Sequence, residues 1–540
     1  LSGVVCFGIL GVMKKVTLLA INAKYVHSSL SVWVLAEGIQ VFAKYSYDVS
    51  VVESTINEPI LKIAQTVAEL APDVVCISSY IWNARILPSV ISELRACLPN
   101  AVFILGGPEA EHNSEFWLNG LADYVLAGEG EYVLPAFLDE LTWSGDGADR
   151  GTVPLPIDPY TDKFFAALRG RLAYIETSRG CPFSCAFCLS AHESVRFFPL
   201  ETVSAQIQKL AMSDTKTLKF VDRTFNCDAK RAYAIFEFCL NLDVSCKFHF
   251  EVAADLFDER TLDLLETAPI GRFQFEIGLQ SFYEPALAAS SRQTDLDKVT
   301  NNIIRLLRGG NIHIHIDLIA GLPYETLDEF KNSFDRAYNL GAHHLQLGFL
   351  KLLHGSVLRS RADELGLVYG GEAPYEIIRS PWLSESDIQI LKHTENALQH
   401  TYNRGRFLSV LGYVLRVSGL SPFALFRKFG ESFPNHGTQL EDYACQIFSF
   451  CKELSDVVKE ELVDRFLCDW LGMVKGKNAP EFLKPRLASS RKLTGEYEKH
   501  LGRKYRRGEA GVLSDGSMVF VDSENRSPVT GLYRVFGQAK

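Results

Sequence analysis

Three cysteines, Cys181, Cys185 and Cys188, stand in the segment Glu176-Thr-Ser-Arg-Gly-Cys181-Pro-Phe-Ser-Cys185-Ala-Phe-Cys188. CxxxCxxC spacing lets one compact loop wrap a cubane iron–sulfur cluster. Three thiolates on four irons leave one iron open to a ligand from outside the protein. The competing chemistry is zinc, which as a structural ion wants four ligands. No fourth Cys or His stands at conventional spacing, and His192, four residues past Cys188, is the near candidate. The other cysteines (Cys6, Cys76, Cys97, Cys227, Cys239, Cys246, Cys445, Cys451 and Cys468) sit singly in apolar stretches. They read as core residues in a reducing cytosol, not as a disulfide framework.

What positions the loop is a series of strand patterns. Between 171 and 365 the candidates are 172–177, 218–221, 246–252, 273–279, 312–319 and 345–352, each separated by enough chain for a helix. Six βα units predict a partial (β/α)6 TIM-like barrel, and the cysteine loop directly follows its first strand, where barrel chemistry belongs. Residues 1–145 alternate strand and helix patterns too, with strands at 16–21, 49–52, 74–78, 102–105 and 124–126. That predicts an α/β domain on a doubly wound, flavodoxin-like parallel sheet, which binds ligands at the carboxyl ends of its strands. Between the two, 146–170 reads as a linker, because Ser144-Gly-Asp-Gly and then Pro154, Pro156 and Pro159 should not propagate a helix. Residues 366–540 read as a mainly helical domain: Phe448, Cys451, Leu454, Val458, Leu462 and Phe466 keep helical spacing. Short strands are expected at 518–521 and 533–536.

Composition narrows the classes. The chain has 540 residues, 47% hydrophobic and 22% charged, with a formal net charge of −10. That is ordinary globular composition for several domains, and it argues against a broad nucleic-acid surface. The run Arg503-Lys504-Tyr505-Arg506-Arg507 could touch RNA, although a solvated loop is the commoner explanation. No apolar run is long enough to span a bilayer. Residues 1–12 are apolar but lack a basic n-region, so they read as an upstream extension rather than a signal peptide. A cytoplasmic protein is expected.

The cysteine loop, with Phe187 just before the last cysteine and its place after strand one of a barrel, resembles the radical S-adenosylmethionine (SAM) superfamily. The resemblance implies a [4Fe–4S] cluster whose open iron chelates SAM and cleaves it to a 5′-deoxyadenosyl radical. Further strand ends agree: Phe248-His-Phe-Glu251, Phe275-Glu-Ile-Gly-Leu-Gln280-Ser281, Arg292, and Asp317-Leu-Ile-Ala-Gly-Leu-Pro-Tyr-Glu-Thr326. This series resembles the coproporphyrinogen-oxidising radical SAM enzymes. By that resemblance Gln280 and Asp317 hold the SAM ribose, Glu251 and Arg292 its methionyl or ribose part, and Phe187 lies at the SAM site. The bland alternative is that these polar groups cap helices or pair with one another. Asp222 ends strand two as a weaker candidate, since the Gly-Gly-Glu pattern many members carry there is missing. His354, after strand six, would face the active-site end.

A doubly wound domain before such a barrel resembles the cobalamin-binding arrangement. The matching residues are Ser78 and Ser79 after strand three, Gly106 and Gly107 in Leu105-Gly-Gly-Pro-Glu109 after strand four, and Gly128 in Gly128-Glu-Gly-Glu131 after strand five. Many cobalamin domains carry Asp-x-His-x-x-Gly after strand one, whereas this chain reads Tyr25-Val-His27-Ser-Ser-Leu30. His27 could ligate cobalt or be an ordinary loop histidine. The carboxyl-terminal part resembles an uncharacterised tail of one cobalamin-type subgroup, with a position suited to closing the barrel mouth.

The resemblances imply a cobalamin-dependent methyltransferase acting on an unactivated carbon of a small molecule or peptide, served by an electron donor such as flavodoxin or ferredoxin. A radical rearrangement or cyclisation without methyl transfer needs the same cofactors. A sensory cofactor-binding protein would not need an open iron. A tRNA-modifying methylthiotransferase would show a further amino-terminal three-cysteine site.

Overall fold

The computed structural model describes residues 14–142, 157–191, 194–433, 439–473, 479–487, 498, 502–504 and 509–537. The expectations for residues 1–12, the turn-rich stretch 144–156, His192 and residues 505–507 lie outside the described residues. The chain forms two compact units. The first runs to Glu251 and includes Ser290–Arg292 and Lys351–Ile377; the second holds Val252–Ala289, Gln293–Leu350 and the chain from Ile378 onward.

In the first unit, strands β1 (Lys14–Asn22), β2 (Tyr47–Thr55), β3 (Val74–Ser78), β4 (Val102–Gly106) and β5 (Tyr124–Leu126) form a five-stranded parallel sheet in the order 2-1-3-4-5. These are the five strands expected, and the order reverses between β1 and β3, which makes their carboxyl ends the ligand-binding edge. Runs such as Val74-Val-Cys-Ile-Ser78 are buried along their whole length, as strands covered by helices on both faces must be. Leu19, Ile77, Phe103 and Leu105 from the strands meet Ile63, Val90, Ile91 and Leu94 from the helices.

The expected linker contains a helix, Asp162–Leu168, that the prolines did not foretell: it begins after Pro159, and Thr161 caps it by accepting from Phe164 N. Phe164 then packs edge-on against Trp33 at 5.7 Å. Buried Glu53 on β2 takes a two-pronged bond from Arg171, at 2.9 and 3.1 Å, just before the next strand. A buried carboxylate needs such a partner.

The second sheet is also parallel. β6 (Ala173–Ile175) is followed by the short antiparallel pair β7 (Ser178–Arg179) and β8 (Arg196–Phe197), then β9 (Thr217–Phe220), β10 (Lys247–Val252), β11 (Phe273–Gln280), β12 (His313–Ala320) and β13 (His344–Phe349). Leaving out the short pair, the order is 13-12-11-10-9-6, six strands as expected. On β11 and β12 every second residue is buried, and Gln274, Glu276, Gln280, His313, His315 and Asp317 occupy the other, partly exposed face.

A partial barrel leaves an edge strand, and edges invite unwanted pairing. Here Asn403 covers β13 with its side-chain amide, accepting from Leu345 N at 3.0 Å and donating to Leu345 O at 2.8 Å. That residue belongs to the mainly helical carboxyl-terminal part, which contains Glu385–His400, Leu408–Ser418, Pro422–Ser432, Leu440–Cys451 and Lys459–Met473. It ends in an antiparallel sheet of Ala510–Val512, Met518–Arg526 and Tyr533–Phe536, the first strand of which the sequence did not suggest. The turn before the last strand brings Val529 O to His313 Nδ1 at 2.8 Å, at the amino-terminal end of β12. Among the described residues this region supplies cover at β13 and at the foot of β12, and Trp382 meets Tyr324 at 4.6 Å in the turn after β12.

Most single cysteines are buried, as read, but Cys97 is exposed and Cys227 and Cys445 are half-buried. Among the described residues no single helix is long and apolar enough to cross a membrane.

Candidate functional site

In the first unit the cysteine loop hangs from a braced neck. Asp222, buried after β9, accepts from Thr177 N at 3.1 Å, Thr177 Oγ1 at 2.7 Å and Ser178 Oγ at 2.6 Å. Burial pushes its carboxyl up and those three donors pull it back. Asp222, the weaker candidate at the end of strand two, thus braces the neck of the loop. Within the loop Cys188 N donates to Cys185 O at 3.0 Å, a turn that gathers two of the thiols. Cys181 lies 3.6 Å from Thr224 Oγ1, and Arg292 Nη1 lies 3.7 Å from Cys185 Sγ. Ala186 N donates to Ser290 O at 2.9 Å, which carries Arg292 to the loop. Phe187 is half-buried between the second and third cysteines.

These residues fit a cluster. Burial, and then the charges of Cys185 and Cys181, push the Cys188 thiol up. Three thiolates at such spacing would need a cationic partner, which the irons of a cluster would supply. Sequence reasoning missed a neighbour: the thiol of Cys227 is pushed up by burial and then by Cys181 and Asp222. Only the fold, which brings the turn after β9 beside the loop, reveals that proximity.

The carboxyl edge of the five-stranded sheet belongs to the same unit. Ser79 Oγ is fully buried and has no hydrogen-bond partner, while Ser78 Oγ lies 3.4 Å from Ser31 Oγ. Gly107 has φ +95°, and a Cβ there would meet Ser79 O at 2.6 Å, so the turn itself requires glycine. Gly106 has ordinary room beside Leu126 O at 3.7 Å. Gly128 stays in the turn after β5, whose glutamates pair with Arg179 and Arg196. An orphaned hydroxyl beside a close backbone approach fits the nucleotide tail of a corrin. His27 shares a 2.5 Å hydrogen bond through Nδ1 with Tyr174 Oη, and burial lowers its pKa. That bond ties the loop to β6 through Nδ1 and leaves Nε2 as the nitrogen that could ligate a metal.

Buried Glu109 accepts from Tyr375 Oη at 2.6 Å. The Tyr375 ring meets His354 edge-on at 4.9 Å. Burial, with Arg359 and His112 nearby, lowers His354 to about 4, so it is neutral at physiological pH. His354, expected to face the active-site end, thus packs within this unit against Tyr375.

In the second unit the ends of β11 and β12 carry the other candidates. Gln280 closes β11 at an irregularity in its pairing with β12, with φ +73°. A non-glycine residue rarely adopts that conformation, and such strain collects at ligand sites. Its Oε1 is buried without a hydrogen-bond partner. Behind it Ser281 Oγ donates to Glu325 Oε1 at 2.5 Å, and Ser333 Oγ donates to the same oxygen at 3.2 Å. Burial raises the Glu325 carboxyl to about 7. Asp317 Oδ1 lies 2.9 Å from His315 Nε2, and Glu276 Oε2 lies 3.9 Å from His315 Nδ1. These three can each offer one ligand atom within 4.8 Å of the others, so the set could hold a cation as well as accept from hydroxyls. Glu251 is half-buried near the end of β10. Glu325 and His315 were not singled out from sequence; their signal was the motif Asp317–Thr326 and the alternation along β12.

Comparison with known proteins agrees with this layout. Residues 16–138 match the B12 binding domain, 175–337 the radical SAM superfamily, and 363–507 a protein of unknown function, DUF4080. The chain is 27% identical over 325 residues to the cobalamin-dependent radical SAM methyltransferase TokK of Streptomyces tokunonensis, covering 53% of this chain and 47% of that protein. It is 23% identical over 314 residues to the anaerobic magnesium-protoporphyrin IX monomethyl ester cyclase of Cereibacter sphaeroides, covering 52% and 51%. The chain thus spans about half the length of these curated relatives. Among solved structures, the radical SAM methyltransferase TsrM of Kitasatospora setae, with cobalamin and a [4Fe–4S] cluster bound, superposes with a TM-score of 0.54 at 16% identity. That match covers 67% of this chain and 76% of TsrM and shows a shared fold. The chain is therefore built from a B12-binding domain, a radical SAM domain and a carboxyl-terminal DUF4080 region.

Proposed function

We propose that this chain is a cobalamin-dependent radical SAM methyltransferase acting on an unactivated carbon of a small molecule or peptide. The observation that carries it is the presence, in one compact unit, of a B12-type sheet and a braced three-thiol loop. The bound cofactors supply radical generation from SAM and methyl transfer. Cys181, Cys185 and Cys188 hold the cluster. Arg292 stands by the Cys185 sulfur, where a cationic donor favours thiolate charge. Gln280 and Asp317 accept from the SAM ribose hydroxyls, and Glu251 and Arg292 take its methionyl or ribose part. Ser78 and Ser79 hold the corrin tail. Electrons come from a flavodoxin- or ferredoxin-type donor. TokK, at 27% identity, supports methyl transfer as the outcome.

The test is anaerobic reconstitution with cobalamin, strong reductant and methyl-labelled SAM. Label recovered with the corrin is expected. The cyclase relative favours a second reading, a radical cyclisation or rearrangement without methyl transfer. SAM cleavage with an unlabelled corrin would select it.

A further inference from the structure

The Gly128-Glu-Gly-Glu131 turn resembles a ligand loop, yet both of its carboxylates are taken. Glu129 Oε1 lies 2.7 Å from Arg196 Nη2 and 3.2 Å from Arg179 Nη1. Glu131 Oε1 lies 2.8 Å from the same Arg179 nitrogen. On its other side Arg179 grips Glu176 with two bonds, Nε at 2.9 Å and Nη2 at 2.7 Å. Arg179 and Arg196 are cross-strand partners in the β7–β8 pair, which closes the neck of the cysteine loop. Two arginines facing each other across a ladder repel, so the pair depends on the glutamates between them.

The turn is itself closely packed. A Cβ at Gly130 would meet Leu35 Cδ2 at 2.7 Å, and a Cβ at Gly38 would meet Glu131 O at 2.6 Å. Helix Leu30–Phe42 and the turn are thus in backbone contact, and the second glycine of the motif serves that packing. The covalent path from β5 to β6 runs through more than forty residues (126 to 173), too long a tether to fix the loop by itself.

We propose that Glu129 and Glu131 form an ionic latch with Arg179 and Arg196, and that this latch sets the position of the cluster loop against the carboxyl edge of the B12-binding sheet. The four are positioning residues: Arg179 carries the load, buried except for about a quarter of its side chain, and Glu131 is the most buried acid of the set. The Arg179–Glu131 pair is buried enough to hold geometry that exposed pairs do not, while Arg196 and Glu129 lie nearer the surface, 40% and 33% exposed. The cobalt readout below rests on the two-cofactor reading above; the exchange readout does not.

The test uses the reconstituted full chain with cluster and cobalamin. In the wild type, the magnetic coupling between reduced cluster and cob(II)alamin should report one narrow distance. Glu129→Ala/Glu131→Ala should broaden or shift it while iron and corrin contents stay within about twofold. Charge reversal at one point, Glu129→Arg, should do the same, and Glu129→Arg with Arg196→Glu should restore most of the wild-type signal. Hydrogen exchange at the amides of 181–188 should speed about tenfold in the double alanine variant, with no change in Val74–Ser78, and recover in the swapped pair. Unchanged coupling and unchanged loop exchange in the double alanine variant would overturn the latch. A wild type that binds no cobalamin would instead overturn the cofactor reading, and the exchange cycle would then decide the latch alone.

Discussion

The two ligand-type edges of this chain treat their acids in opposite ways. At the edge of the five-stranded sheet, Glu109 is bonded to Tyr375, Glu129 to Arg196 and Arg179, and Glu131 to Arg179. At the ends of β11 and β12, Glu325 is bonded through one oxygen to two serines while its other oxygen is buried without a partner, as is Gln280 Oε1. The first edge commits its charges to scaffold and keeps the orphaned hydroxyl of Ser79. The second keeps polar atoms unsatisfied. A buried polar group left unpaired costs about 1–3 kcal/mol, so an atom left so at a strained strand end is a ligand contact more readily than an accident.

The largest expected effect is on the cysteine loop. Cys185→Ala should abolish cluster assembly, seen as loss of nearly all iron and sulfide and of SAM cleavage. Retained cleavage would break the whole assignment. Next comes Glu325, whose carboxyl burial raises from 4.5 to about 7. A raised pKa means the native state binds the proton more tightly. The stability this adds is whole below pH 4.5 and is lost as pH rises through about 7. Glu325→Gln should therefore gain on the wild type between pH 5 and 8, by up to about 3 kcal/mol, read from urea midpoints. A pH-independent difference would contradict the contrast between edges. Gln280→Ala should weaken SAM binding by about 30-fold, as expected for a buried hydrogen-bond partner worth about 2 kcal/mol, with iron content unchanged. Binding equal to wild type would return Gln280 to structure alone. Smallest is Ser79→Ala, expected to weaken cobalamin retention by about fivefold in equilibrium dialysis, about 1 kcal/mol. A variant that holds cobalamin more tightly would show the hydroxyl faces no ligand.

What could be read from the sequence was local. The CxxxCxxC loop is a matter of spacing, and all eleven strands of the two parallel sheets follow from apolar runs, with ends moved by a few residues. Helix Asp162–Leu168 escaped because a proline permits a helix to begin shortly after it, as well as ending one. The pairings that decide roles are far apart in sequence: Tyr375 and Glu109 are separated by 266 positions, and Arg196 and Glu129 by 67. No periodicity reports such contacts. Asp222 shows the consequence, since a strand-end carboxylate looks the same in sequence whether it meets a ligand or braces a loop.

The central claim is that one chain holds both cofactors. The most direct measurement is the iron, sulfide and corrin content of anaerobically reconstituted protein, with 5′-deoxyadenosine formation from SAM in the same sample. Four irons, one corrin and SAM cleavage per chain are predicted. Cluster and cleavage with no corrin retained would contradict it, leaving a radical SAM enzyme whose B12-type sheet is scaffold alone.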